Sequence, residues 1–283
     1  MVIIICFLPE TSRNIVDNGS LPAQRWNKPL FRPIDGSPKK LSKVGLNPLE
    51  AFTLFLRWES GILLIYAGLL NSTQFYVFTT LPVQFQKYYN FSTVNISLVY
   101  LATGIGTAIA VLISGRMQDY NFRRHAKKLG IAVCHETQQS MEEFPIEVSR
   151  LQTSFPALLV SLFSLVAYGW FLQTSTPLGP ILFVFFWAAG NNAAFTSFSN
   201  LIVDLNRDRP GSATAAINIA RCWTGAGVVA FANPLTERIG IAWASMVVVA
   251  YMVVMFPLIL MVYHWGQKFR MRQSEEDLER PTA

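Results

Sequence analysis

The sequence predicts an all-α membrane protein, a polytopic helical bundle of six transmembrane helices. Three observations carry that prediction. Hydrophobic residues make up 52% of the 283-residue chain and charged ones 14%, against about 25% charged in a soluble domain. Asp, Glu, Lys and Arg are absent from 60–86, 88–115, 151–203 and 239–267, runs of 27, 28, 53 and 29 residues. The basic residues collect in alternate gaps between those runs.

Residues 1–8 are apolar but too short to span, and they lack the basic n-region and cleavage site of a signal peptide. They are expected to be the tail of a helix whose beginning lies upstream. Residues 9–57 are polar, with Pro22, Pro29, Pro33, Pro38 and Pro48. Such a stretch cannot bury enough apolar surface to fold compactly, so it is expected to be a loose cytoplasmic linker. A membrane domain then occupies 58–267. A span needs about 20 mostly apolar residues, so 60–86 and 88–115 hold one each. The run 151–203 holds two, divided at Pro177 and Pro180, because closely spaced prolines break a helix. Residues 212–235 form another span, apolar except for Arg221, and 239–267 form the last. Residues 268–283 are a charged tail, expected to be cytoplasmic.

Orientation follows from the basic residues, since short cytoplasmic loops hold the excess of Lys and Arg. Stretches 1–57, 116–150, 205–211 and 266–283 together carry 20 of the 23. Lys87 and Arg238 lie in the opposite connections, and Arg221 lies inside a span. Both termini are therefore expected on the cytoplasmic side. Tags at the C-terminus and near Ser140 should be reached only after the cytoplasmic face is opened, and a tag at 87–91 should be reached from outside. The sequons at Asn90 and Asn95 share that outer side, close enough to the membrane that little glycosylation is expected. Labelling of the Ser140 tag in intact cells would reverse the topology.

Loop topology accounts for the pI near 9.3, so no nucleic-acid partner is implied; the lipid bilayer is the expected partner. Trp58, Trp170, Trp187, Trp223, Trp243 and Trp265 lie in or at the ends of spans, where aromatic belts form. Cys6, Cys134 and Cys222 are far apart and show neither a disulfide framework nor metal-ligand spacing. His125, His135 and His264 lie in loops or at a helix end. No phosphate loop, paired-carboxylate site or nucleophile–His–acid arrangement is present, so neither catalysis nor a cofactor or metal is expected.

Polar residues inside the spans are the candidates for function. Asn192, Thr196 and Ser199 are spaced four and three apart and form one helical stripe, which faces other helices or a wet cavity. Asn71 and Gln74 share a face of the first span, with Tyr76 nearby, and Asn218 adds a polar group to the fifth. Gly68, Gly104 and Gly106 read as close-packing positions. Arg221 lies nine residues beyond Ser212, roughly 13 Å into the membrane. An intramembrane arginine is costly and marks a functional or structural role with a partner; Asp204 is the candidate within the chain, and a partner outside it is equally open. Glu147 and Arg150 are three apart, share a helix face, and are expected to form a surface ion pair. Asp119, beside Arg116, Arg123 and Arg124, is placed to cap a neighbouring helix N-terminus or to serve with them as a solvated topology determinant. No carboxylate lies near the middle of a span, so no proton carrier is evident.

Five segments, in order, resemble the fungal drug:proton antiporters of the major facilitator superfamily. FLPETSRNIVDNGS at 7–20 is similar to the family's LPETxRxxVGNGS. GRMQDYNFRR at 115–124 resembles GRxxDxxxRR, and FPIEVSRL at 144–151 resembles FPxExxRL. VDLNRDRP at 203–210 resembles VDLxPxRP, and ATAAINIARC at 213–222 resembles ATAANNLVRC, with Ile217 in place of the first Asn. The match runs with the second half of a twelve-span family. The resemblance implies a six-helix bundle equivalent to the C-terminal half of that fold, in the plasma membrane. It implies export of small organic molecules such as drugs, driven by proton antiport with alternating access. The substrate would bind between two halves, so a missing N-terminal six-span half or a second chain is implied as partner. Asn71, Gln74, Tyr76, Asn192, Thr196, Ser199, Asn218 and Arg221 would then line the cavity. Gly115, Arg116, Asp119, Arg123, Arg124, Glu147, Arg150 and Asp204 would form a latch that loosens during transport. The alternative is a truncated membrane fragment that does not transport and at most associates with a transporter.

Overall fold

A computed structural model describes residues 50–128, 146–174, 176–206 and 210–279. Among the described residues seven helices follow one another: α1 (Glu50–Leu56), α2 (Trp58–Tyr89), α3 (Thr93–Lys128), α4 (Ile146–Phe171), α5 (Leu178–Leu205), α6 (Pro210–Ile239) and α7 (Ile241–Glu279). Six of them, all but α1, are long and apolar enough to cross a membrane. The described residues contain no strand. The protein is an integral, multi-pass membrane helical bundle.

The expected spans are all present, and their ends move for local reasons. Tyr88 and Tyr89 belong to α2, which stops at Asn90. Asn90 adopts φ 52° and returns its N–H to the Gln86 carbonyl at 3.1 Å, a left-handed cap that Asn tolerates. The long uncharged run breaks at 172–177, and α5 begins at Leu178 with Pro180 inside its first turn, where proline costs no hydrogen bond. Tyr89 braces this break by donating to the Leu172 and Thr174 carbonyls at 3.1 and 3.0 Å. Only Gly240, at φ +82°, separates α6 from α7, a backbone state open to glycine without penalty. Pro82, Pro156, Pro234 and Pro257 sit inside helices, as spans permit when neighbouring helices re-satisfy the freed groups.

Two expectations about the linker and the second span need correction. Residues 50–56 are helical, and Ala51 and Leu54 are buried, so the linker's last turns are not loose. Phe52 packs its ring 6.3 Å from Trp223 of α6. The segment 115–128 continues α3 as helix. The resembled loop pattern at 115–124 is therefore the charged end of a helix. Residues 1–49, 129–145, 175, 207–209 and 280–283 lie outside the described set, and with them the 7–20 match, Cys6, Cys134, His135 and Ser140.

The core has two apolar clusters. One gathers Leu63, Leu64, Leu151, Leu158, Phe198 and Met252; the other gathers Tyr76, Leu81, Phe85, Leu165, Trp187 and Val248. Polar contacts join helices as well. Ser72 Oγ bonds Tyr251 Oη at 2.8 Å, and Thr73 Oγ1 donates to Asn191 Oδ1 at 3.0 Å. Small residues let backbones approach: a Cβ on Gly68 would stand 3.1 Å from the Ala220 carbonyl, and one on Gly106 2.8 Å from that of Phe185. Gly104 meets nothing within 4 Å, so it is not a packing position. Leu98, Leu101, Ile105, Ile109 and Leu112 form an exposed apolar stripe along α3. Trp58 and Trp265 are exposed at one end of the bundle, and Trp170 and Trp243 at the other, with rings 6.2 Å apart. Trp187 is buried in the core rather than in a belt.

Candidate functional site

The charged end of α3 is sorted by the 3.6-residue period. Ser114, Gln118 and Asn121 are buried, while Gly115, Arg116, Asp119, Arg123 and Arg124 are exposed. The buried edge does the joining. Gln118 Oε1 accepts from Arg150 Nη1 at 3.1 Å and from Asn200 Nδ2 at 3.0 Å, and Gln118 Nε2 donates to Ser197 Oγ at 3.2 Å. Asn121 Nδ2 donates to Thr153 Oγ1 at 2.8 Å, and His125 Nε2 meets Gln152 Oε1 at 3.1 Å.

Arg150 completes this hub. Its Nε and Nη2 both reach Asp204 Oδ2 at 3.0 Å. The carboxylate paired with Arg150 is thus Asp204 on α5, not Glu147 one turn earlier. The reason is direction: Glu147 is almost fully buried and packs toward Gly266 of α7, whereas Arg150 points across to α3 and α5. The expected Glu147–Arg150 surface pair is not formed. Asp119, the next residue after Gln118, is exposed, and the hub is built without it.

The second group of residues lies deeper in the bundle, on α2, α5 and α6. Tyr66 of α2 packs on Phe198 of α5 with centroids 5.1 Å apart, and Thr224 of α6 donates to the Gly68 carbonyl at 2.8 Å. On α2, Asn71 Nδ2 donates to Gln74 Oε1 at 3.3 Å, and Asn71 Oδ1 is buried without a hydrogen-bond partner. Asn192 Nδ2 bonds the Ala188 carbonyl at 2.9 Å and Thr107 Oγ1 of α3 at 3.1 Å. Thr196 Oγ1 returns to the Asn192 carbonyl at 2.8 Å, and Ser199 stands half-buried on the same stripe. Tyr76 is buried, its hydroxyl beside Ser245 and Thr236 without a well-formed hydrogen bond.

Arg221 does not reach Asp204. Its guanidinium lies over the Phe195 ring at 5.3 Å, and its Nη1 approaches Asn218 Oδ1 at 3.5 Å. Asp204 sits in the last turn of α5 and Arg221 near the middle of α6, so Arg150 takes the carboxylate. Gln118, Asn121, Ser197, Asn200, Thr73 and Asn191 were not singled out from the sequence. The spacing of Gln118, Asn121 and His125 marks one helix face once 115–128 is read as helix. Nothing in the sequence separates buried Asn191 from Asn192 beside it. Among the described residues no group of His, Cys, Asp and Glu is placed to hold a metal, and Cys222 is an exposed free thiol.

Comparison with known proteins supplies the family. Residues 1–230 match the model described as Major Facilitator Superfamily. The MFS-type transporter clz19 of Cochliobolus lunatus is 33% identical over 95% of this chain and 53% of its own length. The MFS-type transporter phiL of Fungal sp. (strain ATCC 74256) is 33% identical over 92% of this chain and 67% of its own. Citrate exporter 1 of Aspergillus niger is 27% identical over 94% of this chain and 54% of its own. The chain therefore spans about half the length of clz19 and of the citrate exporter, and two thirds of phiL. No solved structure matches. With six spanning helices and these relatives, the chain belongs to the major facilitator superfamily of membrane transporters.

Proposed function

We propose that this chain forms one wall of the path through an exporter of small organic molecules, driven by proton antiport with alternating access. The observation that carries this reading is the set of polar groups within the spans α2, α5 and α6. Asn71, Gln74, Asn192, Thr196, Asn218 and Arg221 place amides, a hydroxyl and one charge within spanning helices. Polar groups within spans are costly and mark substrate or ion pathways, and transporter sites lie near the midplane between repeats. The export direction is that of the relative named a citrate exporter. The hub of Gln118, Arg150 and Asp204 joins three helices at one end of the bundle and is the proposed latch, released when the cytoplasmic side opens. The opposite wall comes from the part of the relatives' length that this chain does not span, or from a second chain.

Energised everted vesicles containing this chain alone should show no proton-dependent uptake of drug above empty vesicles. Uptake should appear when the remaining part of clz19 is co-expressed. Robust uptake by the chain alone would show that it pairs with itself and overturn the one-wall reading. No proton-driven uptake with the second part present would overturn the exporter reading in favour of a non-transporting fragment.

A further inference from the structure

Among the described residues, the charge of Arg221 is not balanced by a neighbouring acid. The residue lies eleven positions after Pro210 in a 30-residue helix, about 17 Å along its axis. Arginine has five N–H donors and stays protonated in proteins. One of those donors makes a long contact with Asn218, and Nε is buried with no hydrogen-bond partner. The Phe195 ring beneath the guanidinium offers it a π face but no counter-charge.

Among the described residues between 51 and 266 the acidic side chains are Glu59, Asp119, Glu147, Asp204 and Glu237. Glu59, Glu147, Asp204 and Glu237 lie in the first or last turn of their helices, and Asp119 lies exposed on the charged end of α3. Asp204, the acid expected to serve Arg221, is bound by Arg150. A charge in a region of low dielectric is costly until it is paired. The described part of this wall therefore lacks the negative charge that Arg221 calls for.

The geometry points to a carboxylate-bearing substrate as that negative charge: Arg221 selects organic anions, with the carboxylate on the guanidinium and an apolar body against Phe195. Arginine suits the task because its planar fork matches a carboxylate's two oxygens. Asn218, one turn before Arg221, approaches Nη1 at 3.5 Å from one side of the fork. This rests on the transporter reading and names its substrate class.

The test uses the protein purified at the length at which it occurs in its membrane, with benzoate and its neutral isostere benzamide as probes. Benzoate should bind at least about tenfold more tightly than benzamide, as a charge-assisted pair predicts. That advantage should vanish in Arg221→Gln and survive in part in Arg221→Lys. Asn218→Asp places a carboxylate beside Nη1 and should abolish the benzoate advantage while raising the melting temperature, which keeps the test decisive where Arg221→Gln folds poorly. Equal affinity for the two probes would overturn the anion preference while leaving the exporter reading to the vesicle assay. Failure of both probes to bind, or a benzoate advantage that outlasts Arg221→Gln or Asn218→Asp, would also overturn it.

Discussion

Gly190→Val is expected to stop the bundle from assembling, and Gly190→Ala to lower its melting temperature sharply. A Cβ at this position would stand 2.6 Å from the Ala157 carbonyl oxygen and 2.8 Å from Ser161 N. Both atoms are backbone, so no side-chain rotation relieves the contact and α4 and α5 must move apart. Overpacking a close contact costs about 1–3 kcal/mol, and helices in lipid depend on such packing because no hydrophobic force drives them together. Gly227→Ala is the matched control, since a Cβ there meets nothing within 4 Å. Detergent extraction followed by size-exclusion chromatography and thermal melting compares the three. An unchanged melting temperature for Gly190→Ala would mean that α4 and α5 do not approach this closely.

Removing either partner of the Arg150–Asp204 pair is the second large effect. Breaking a fully buried pair costs about 3–5 kcal/mol. These side chains keep 19% and 21% of their exposure, so solvent screening reduces the expected loss to about 1–3 kcal/mol. Arg150→Leu takes the guanidinium from Asp204 and a donor from Gln118 together; Asp204→Asn leaves the guanidinium with Gln118 as its neutral acceptor. Because one pair underlies both losses, the double variant should be less destabilised than the sum of the two single variants. Arg150→Lys should be intermediate, since an ammonium lacks the fork that serves Asp204 and Gln118 at once. Exchanging the residues, as Arg150→Asp with Asp204→Arg, should not restore stability, because Gln118 and Asn200 are arranged around the original geometry. Strict additivity of Arg150→Leu and Asp204→Asn in thermal melts would remove the hub from the account.

Read from sequence, the polar candidates were easier to name than to place. Asn71 and Gln74 share a face because three residues is nearly one helical turn, and their side chains do meet. The stripe of Asn192, Thr196 and Ser199 is equally a property of spacing. Its partner, Thr107 on α3, is a property of packing and has no trace in the local sequence. Gly190 is a similar case: glycine is common in spans, and only the crossing of α4 over α5 distinguishes it from Gly104 or Gly227.

The amino-acid sequence alone determined that the chain is a six-helix membrane bundle, because length and apolarity add up along a segment without reference to any other part of the chain. It determined the breaks for the same reason, since proline and glycine act on their own backbone. Which charges pair was decided only by the tertiary structure. Arg150 and Asp204 are 54 residues apart in sequence, and their meeting depends on how α4 and α5 cross. The period of α3 beyond Gly115 turns Gln118 inward and Asp119 outward, so the residue that joins the helices is the neutral neighbour of the charged one. Arg221 is left over Phe195 with no carboxylate beside it among the described residues, because the acid within nominal reach lies at a helix end where Arg150 holds it.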